Sequence, residues 1–193
     1  MTRTAAYKRE EVLNKAMRAF WDRGYGATGM AEIVRITGLK PGSIYTAFES
    51  KQDLFLAALD LYGDFSRDAV ERQLAKHSNP IDAVCEFFRH LAATVAGPSG
   101  KRSCFLVNSA LEVARHDKAA RKLIHTHFQS IEGLFRDTLE RAQAEGYLAP
   151  GKDPASLAAT LMVFIWGMRV LGATNPTPAR TEQLVAQVLE LLK

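Results

Sequence analysis

The 193 residues contain only two cysteines, Cys85 and Cys104. Two thiols cannot build the disulfide framework that small secreted domains rely on, so a reducing cytoplasm is the expected compartment. Long hydrophobic runs are also missing. The most apolar stretch, residues 161–171 (LMVFIWGMRVL), contains Arg169 and falls short of the roughly 20 apolar residues of a spanning helix. It reads as a buried bundle helix, and no membrane partner is expected. No basic segment followed by a long apolar stretch opens the sequence, so no secretory signal is expected. Period-two alternation, internal repeats and low-complexity segments are absent throughout.

The signatures of catalysis and metal binding are missing as well. There is no glycine-rich phosphate loop and no Gly-x-Ser-x-Gly elbow. The five histidines include no pair at i, i+4. His125 and His127, two apart, point to different faces of a helix. Neither an enzyme, nor a cofactor, nor a metal centre is expected.

What remains is helical periodicity. Apolar residues recur at helical spacing over residues 7–23, 30–35, 41–48, 51–76, 80–95, 103–114, 117–145, 154–171 and 179–192. Gly24-Tyr25-Gly26, Asn79-Pro80, Gly97-Pro98-Ser99-Gly100, Pro150-Gly151 and Asn175-Pro176-Thr177-Pro178 separate them. Thr28 and Ser50 are expected to cap the helices that follow them, and Gly146 to end the longest one. The expected architecture is all-α, with about nine helices. Three short ones form a helix-turn-helix domain over residues 1–50, and a larger bundle for ligand binding and dimerisation covers 51–193. The fourth helix joins the two.

The helix-turn-helix rests on residues 28–51, TGMAEIVRITGLKPGSIYTAFESK. A helix, a turn at Thr37-Gly38-Leu39 and a second helix follow in the order that puts the second helix into a DNA major groove. Met30, Ile33, Val34, Leu39, Ile44 and Phe48 are spaced to close a small core. Charge agrees. Residues 1–51 hold nine Lys/Arg and five Asp/Glu, leaving sixteen of each sign in the rest, so the whole net charge of +4 lies in this segment.

Several positions carry a more specific likeness. They are Phe20-Trp21-Asp22-Arg23-Gly24-Tyr25, Thr28, Ile33, Thr37-Gly38-Leu39, Gly42-Ser43-Ile44-Tyr45, Phe48, Ser50-Lys51 and Leu54-Phe55. Over residues 9–62 the chain resembles the TetR family of bacterial transcriptional repressors. Beyond that it matches only in helix number and length. The resemblance implies homodimers that bind palindromic double-stranded operators, with a small-molecule pocket in the C-terminal bundle. Thr46-Ala47 stands where members often carry an aromatic residue or His, so the operator sequence does not carry over.

Eight residues are candidates for DNA contact. Thr28 would offer its hydroxyl and nearby N–H groups to a phosphate. Lys40 and Lys51 flank the recognition helix and suit phosphates, which position without reading sequence. Pro41 and Gly42 open that helix, and Gly42 allows close backbone approach. Ser43 and Thr46 are short enough for base edges, and Tyr45 has a hydroxyl that reaches a phosphate. Thr28 and Ser43 also fit simple helix caps, and Tyr45 also fits core packing.

Dimerisation is expected through the last two helices. Ala158, Leu161, Met162, Ile165, Gly167, Leu171, Leu184, Val185, Val188 and Leu192 supply the apolar stripe, which would equally complete a monomer core. An effector cavity would lie among the central helices, with Phe88, Cys104, Phe105, Asn108, Phe128, Ile131, Phe164, Trp166 and Arg169 as candidate lining. Aromatic stripes at such spacing also build ordinary cores. Cys104 follows Lys101-Arg102-Ser103 and opens a helix, a setting that favours thiolate, and some family members sense oxidants or electrophiles through a cysteine. It also fits a small buried residue, as does Cys85. The expected function is a ligand-responsive repressor, released by a small molecule or electrophile. The alternative is a helical small-molecule-binding or redox-sensing module without specific operator binding.

Overall fold

The computed structural model describes the backbone of residues 3–193 and the side chains of residues 9–193. Among these residues there are nine α-helices and no strand. The first, α1 (Arg3–Arg23), is 21 residues long rather than short. Val12, Leu13, Ala16, Met17 and Phe20 form its buried stripe. The next two are α2 (Met30–Thr37) and α3 (Pro41–Ala47). Between them Gly38 adopts φ 70°, and its N–H donates to the Val34 carbonyl at 3.0 Å. That left-handed position is the reason a glycine stands at the turn.

Sequence caps set most of the later boundaries. Helix α4 (Lys51–Leu74) starts at Ser50, whose hydroxyl accepts from the Asp53 N–H, while the Asp53 carboxylate accepts from the Glu49 N–H. Asn79 caps α5 (Pro80–Ala96), and Asp117 caps α7 (Lys118–Ala144). Asp153 caps α8 (Pro154–Gly172), and Thr177 caps α9 (Pro178–Leu189). A 3-10 turn, Pro98–Arg102, leads into the short α6 (Phe105–Glu112), and Glu190–Leu192 forms a last 3-10 turn.

Two apolar cores lie along α4. One joins α1, α2 and α3 to the first half of α4, to α6 and to the start of α7, through Phe20, Ile33, Ile44, Phe48, Phe55 and Phe105. The other joins the end of α4 to α5, the later part of α7, α8 and α9, through Phe88, Phe135, Leu139 and Leu161. The helix-turn-helix therefore shares its core with bundle helices instead of closing on itself, since α1 and two short helices bury too little apolar surface alone. Phe128 touches both cores. Phe65, on α4, is 50% exposed.

The expected dimer stripe is largely spent inside the monomer. Ala158, Leu161, Met162, Ile165, Val185, Val188 and Leu192 are buried, because α8 and α9 pack onto α5 and α7. The open side of α8 is a different one, carrying Val163, Gly167 and Val170. Among the described helices α8 alone is long and apolar enough to cross a membrane, and 28% of its apolar window is buried within the chain. Its inner side is nonetheless a core face of a helical bundle.

Candidate nucleic-acid interface and effector cavity

Helix α3 is fixed from below by Ile44 and Phe48, both buried. Lys40 is its N-cap residue and Pro41 its first position, where a missing N–H leaves nothing unsatisfied. Lys40, Pro41, Gly42, Ser43, Tyr45 and Thr46 are all exposed on one continuous surface. Tyr45 is 51% exposed, which removes the core-packing alternative. Ser43 is not the cap, because Lys40 holds that position. The Thr46 hydroxyl donates to the Gly42 carbonyl at 2.7 Å, leaving its methyl group to face outward contacts.

Two of the eight expected contact residues sit differently. Thr28 is fully buried, and its hydroxyl donates to the carbonyls of Gly24 at 2.8 Å and Ala19 at 3.3 Å. It ties off the end of α1, while Gly29 is the N-cap residue of α2. The hydroxyl is turned inward onto these two carbonyls, the Gly24 one lying just past the helix end. Lys51 is half-buried, with its ammonium 4.2 Å from the centre of the Tyr25 ring. The ring occupies the cation that was expected to be free for phosphate.

The charge excess is also more committed than its count suggests. Arg23 and Arg35 both pair with Glu32, at 2.9 and 2.6 Å, and Lys15 pairs with Glu11 at 2.8 Å. The Arg35 hydrogen bond, aided by both arginine charges, lowers the Glu32 carboxyl below its ordinary pKa. Arg9 lies 4.7 Å over the Phe48 ring. The expected contributions of Arg3 and Lys8 lie outside the described side chains.

A cavity of about 400 Å³ opens among α4, α5, α7 and α8, bounded by the 3-10 turn and the start of α6. Cys104, Phe128, Ile131, Trp166 and Arg169 line it as expected. Phe88, Phe105, Asn108 and Phe164 do not. Phe88 is fully buried, with Phe164 packed against its ring at 5.8 Å. Phe105 packs edge-on against Phe55 and Tyr62, and Asn108 donates to the Arg102 carbonyl at 3.2 Å. Helical spacing marks an apolar face but not which apolar face borders a void.

Sequence reasoning missed the other wall. Trp21, Tyr62, Phe65, Phe87 and His90 also line the cavity. Burial raises the Tyr62 hydroxyl far above the usual phenol pKa, and the adjoining Cys104 adds to this, while Arg169 pulls it down. Cys104 itself is half-buried, and one of the two cations expected to activate it, Arg102, is engaged elsewhere. Arg102 forms a short ion pair with Asp22 and stacks 4.5 Å over the Trp21 ring.

These contacts bind the DNA-facing unit to the bundle. The Trp21 indole N–H donates to the Arg102 carbonyl at 3.1 Å, and its ring meets Tyr62 edge-on at 4.8 Å. Both oxygens of Glu112 accept from the loop after α1, from Tyr25 N–H at 3.1 Å and Gly26 N–H at 2.8 Å.

One cluster crosses helices and so escaped the search for spacing. Asp60, Asp64 and His127 bring one ligand-type atom each within 4.8 Å of one another. The buried His127 ring meets the Asp60 carboxylate at 2.8 Å, a hydrogen bond between α4 and α7. Gly63 makes this approach possible, because a Cβ there would lie 2.4 Å from three atoms of the His127 ring.

Comparison with known proteins agrees with this geometry. Residues 12–58 match the model for bacterial regulatory proteins of the tetR family, and residues 80–187 match the tetracyclin repressor-like C-terminal domain. The transcriptional repressor ComR of Escherichia coli is 27% identical over 190 residues, which span 98% of this chain and 90% of that one. A TetR transcriptional regulator of Chloroflexus aurantiacus superposes with a TM-score of 0.88 at 25% identity, over 98% of this chain and 96% of its own. A cysteine-substituted TetR family regulator, CifR, bound to 26-base-pair operator DNA, has a TM-score of 0.84 at 26% identity, covering 95% of this chain and 96% of that one. These relatives are transcription regulators and not enzymes. Both halves of the fold are thus accounted for, and the chain belongs to the TetR family of DNA-binding transcriptional regulators.

Proposed function

We propose that this regulator is a homodimeric repressor that binds a palindromic operator and is released when a small molecule enters the cavity beside Trp21. The observation that carries the proposal is the double position of Trp21. It belongs to α1 of the DNA-facing unit, and it is also a wall of the cavity. An occupant that prefers one setting of this ring biases the spacing of the recognition helices, and that difference in affinity is what shifts the population. Lys40, Gly42, Ser43, Tyr45 and Thr46 are the residues we assign to DNA, with Lys40 and Tyr45 on phosphates. Lys51 contributes chiefly by bracing Tyr25. Operator binding by the CifR neighbour supports the same use of this surface.

Dimerisation is assigned to the outer face of α8. Val163 and Val170 are 60% and 47% exposed, and Gly167 between them allows two helices to approach closely. With α9 beside it, two copies would form a four-helix contact about a two-fold axis. A dimer presents two recognition helices, which matches a palindrome with half-sites about one helical turn apart. Work on DNA makes the cytoplasm its compartment.

The test is fluorescence anisotropy of the full chain on DNA from its own upstream region at two salt concentrations. Salt-sensitive, saturable binding that Tyr45→Ala weakens at least tenfold is the expected result. Binding no tighter than to random DNA would favour a ligand-binding or redox module without an operator. Cys104 lines the cavity, so an electrophile is a second route to release. Release by an electrophile that persists in Cys104→Ser removes that route.

A further inference from the structure

The cavity has a chemical bias that its family does not dictate. Its lining includes no aspartate or glutamate, while Arg169 faces it from α8. Among the described residues no acidic side chain lies within ion-pair distance of the Arg169 guanidinium. One turn earlier on the same helix, the Trp166 indole N–H is buried without a hydrogen-bond partner. A buried donor without a partner is costly, as is a half-buried cation without a counterion. Both deficits call for the same thing, an acceptor with negative charge. They lie three residues apart, so the two side chains leave α8 from adjacent positions on one face, and both residues line the cavity.

The remaining walls are mostly apolar, with several aromatic rings, and include His90, Gln73 and a few Ser and Thr hydroxyls. Trp21, Tyr62, Phe65, Phe87 and Phe128 surround the void, which at about 400 Å³ lies toward the small end of ligand sites. Flat rings suit a flat ligand body. Phe65, half exposed on α4, borders the mouth.

We propose that the effector is an amphipathic monoanion, an aromatic body of one or two rings ending in a carboxylate or similar oxyanion, held by Arg169 and the Trp166 N–H. This rests on the reading of the cavity as the effector site, and it adds the ligand's class. An oxyanion there meets the indole donor and the guanidinium together, while its rings lie against Trp21 and Tyr62. The anion would also approach the Tyr62 hydroxyl, which stays protonated and able to donate. A cationic ligand would face Arg169 with no carboxylate in the lining to receive it.

Three probes of one size test the inference by calorimetry on the full chain: biphenyl-4-carboxylate, biphenyl-4-carboxamide and the biphenyl-4-methylammonium ion. The carboxylate is expected to bind at least about tenfold tighter than the amide, as a hydrogen bond to a charged group warrants. Arg169→Gln should bring that ratio to about one, and Arg169→Lys should restore part of it. Trp166→Phe should weaken both oxygen-bearing probes by about fivefold and leave their ratio intact. Circular dichroism and melting curves on each variant separate lost binding from lost folding. Equal affinity for carboxylate and amide, tighter binding of the ammonium, or binding of none of the three overturns the proposal. So does a charge preference unchanged in Arg169→Gln. The operator complex is followed in parallel. A carboxylate that binds as described but leaves DNA bound keeps the ligand class and removes the effector role. Release by the ammonium probe, without carboxylate preference, does the reverse.

Discussion

Replacing Gly63 by alanine opposes two effects whose magnitudes decide the sign. Gly63 lies inside α4, where alanine is the better helix former by about 0.5–1 kcal/mol. Propensity alone therefore predicts a more stable protein. The added Cβ, however, would lie 2.4 Å from Cδ2, Cε1 and Cγ of His127. Ordinary contact requires a retreat of roughly 1 Å, into a ring that is itself buried and held to Asp60 at 2.8 Å. Overpacking of this kind costs about 1–3 kcal/mol. Loosening the His127–Asp60 bond adds about 0.5–1 kcal/mol, kept low because the Asp60 side chain is 57% exposed. The net is a loss of about 1–3 kcal/mol, or a fall in Tm of roughly 2–12 °C for a chain of this size.

The assay is a double-mutant cycle by thermal melting at fixed protein concentration, since the proposed dimerisation would make Tm concentration-dependent. In a His127→Ala background the ring is gone, and Gly63→Ala should be neutral or stabilising. Because α4 spans both cores, the single variant should also weaken operator binding, and the double variant should recover part of it. An unchanged or raised Tm in Gly63→Ala, or the same shift in both backgrounds, refutes the reasoning.

Thr28→Val keeps the side-chain shape and removes the one hydroxyl proton shared between the Gly24 and Ala19 carbonyls, so it should cost about 1 kcal/mol in a melting experiment. Operator affinity of the folded fraction should stay within about threefold of wild type, and a larger loss would instead return Thr28 to the phosphates. Val163→Glu combined with Val170→Glu should convert the proposed dimer to monomer in sedimentation, and a retained dimer would remove the outer face of α8 from the interface. Burial raises the Cys85 thiol above its ordinary pKa, so less thiolate is present at any pH below that value. Its alkylation by iodoacetamide, followed in Cys104→Ser, should lag a free thiol at pH 8 and approach it as pH rises. Parity at pH 8 would count against the buried setting.

The helix boundaries were legible because capping chemistry is local. Ser50, Asn79, Asp117, Asp153 and Thr177 each bond N–H groups two or three residues ahead, a relation readable along the chain. Thr28 belonged to the same residue class but bonds backward, to Ala19 and Gly24. Which direction a hydroxyl takes depends on how α1 ends against its neighbours. Lys51 was read as a free cation because Tyr25 lies 26 positions away in sequence. Helix α8 gave least, since it is apolar on nearly every side, and no periodicity marks which side meets α5 and α7.

By itself the sequence determined the all-helical class, the turn at Gly38, the recognition helix and the family. Each follows from local backbone preferences, short-range caps and the burial period of single helices. Only the tertiary structure decided that Trp21 walls the cavity, that Val163 and Val170 rather than Ile165 or Val185 remain outside, and that His127 docks on Gly63 and Asp60. Those facts depend on contacts between segments far apart in the chain. Such contacts are set by how whole helices pack, and no periodicity within one helix records them.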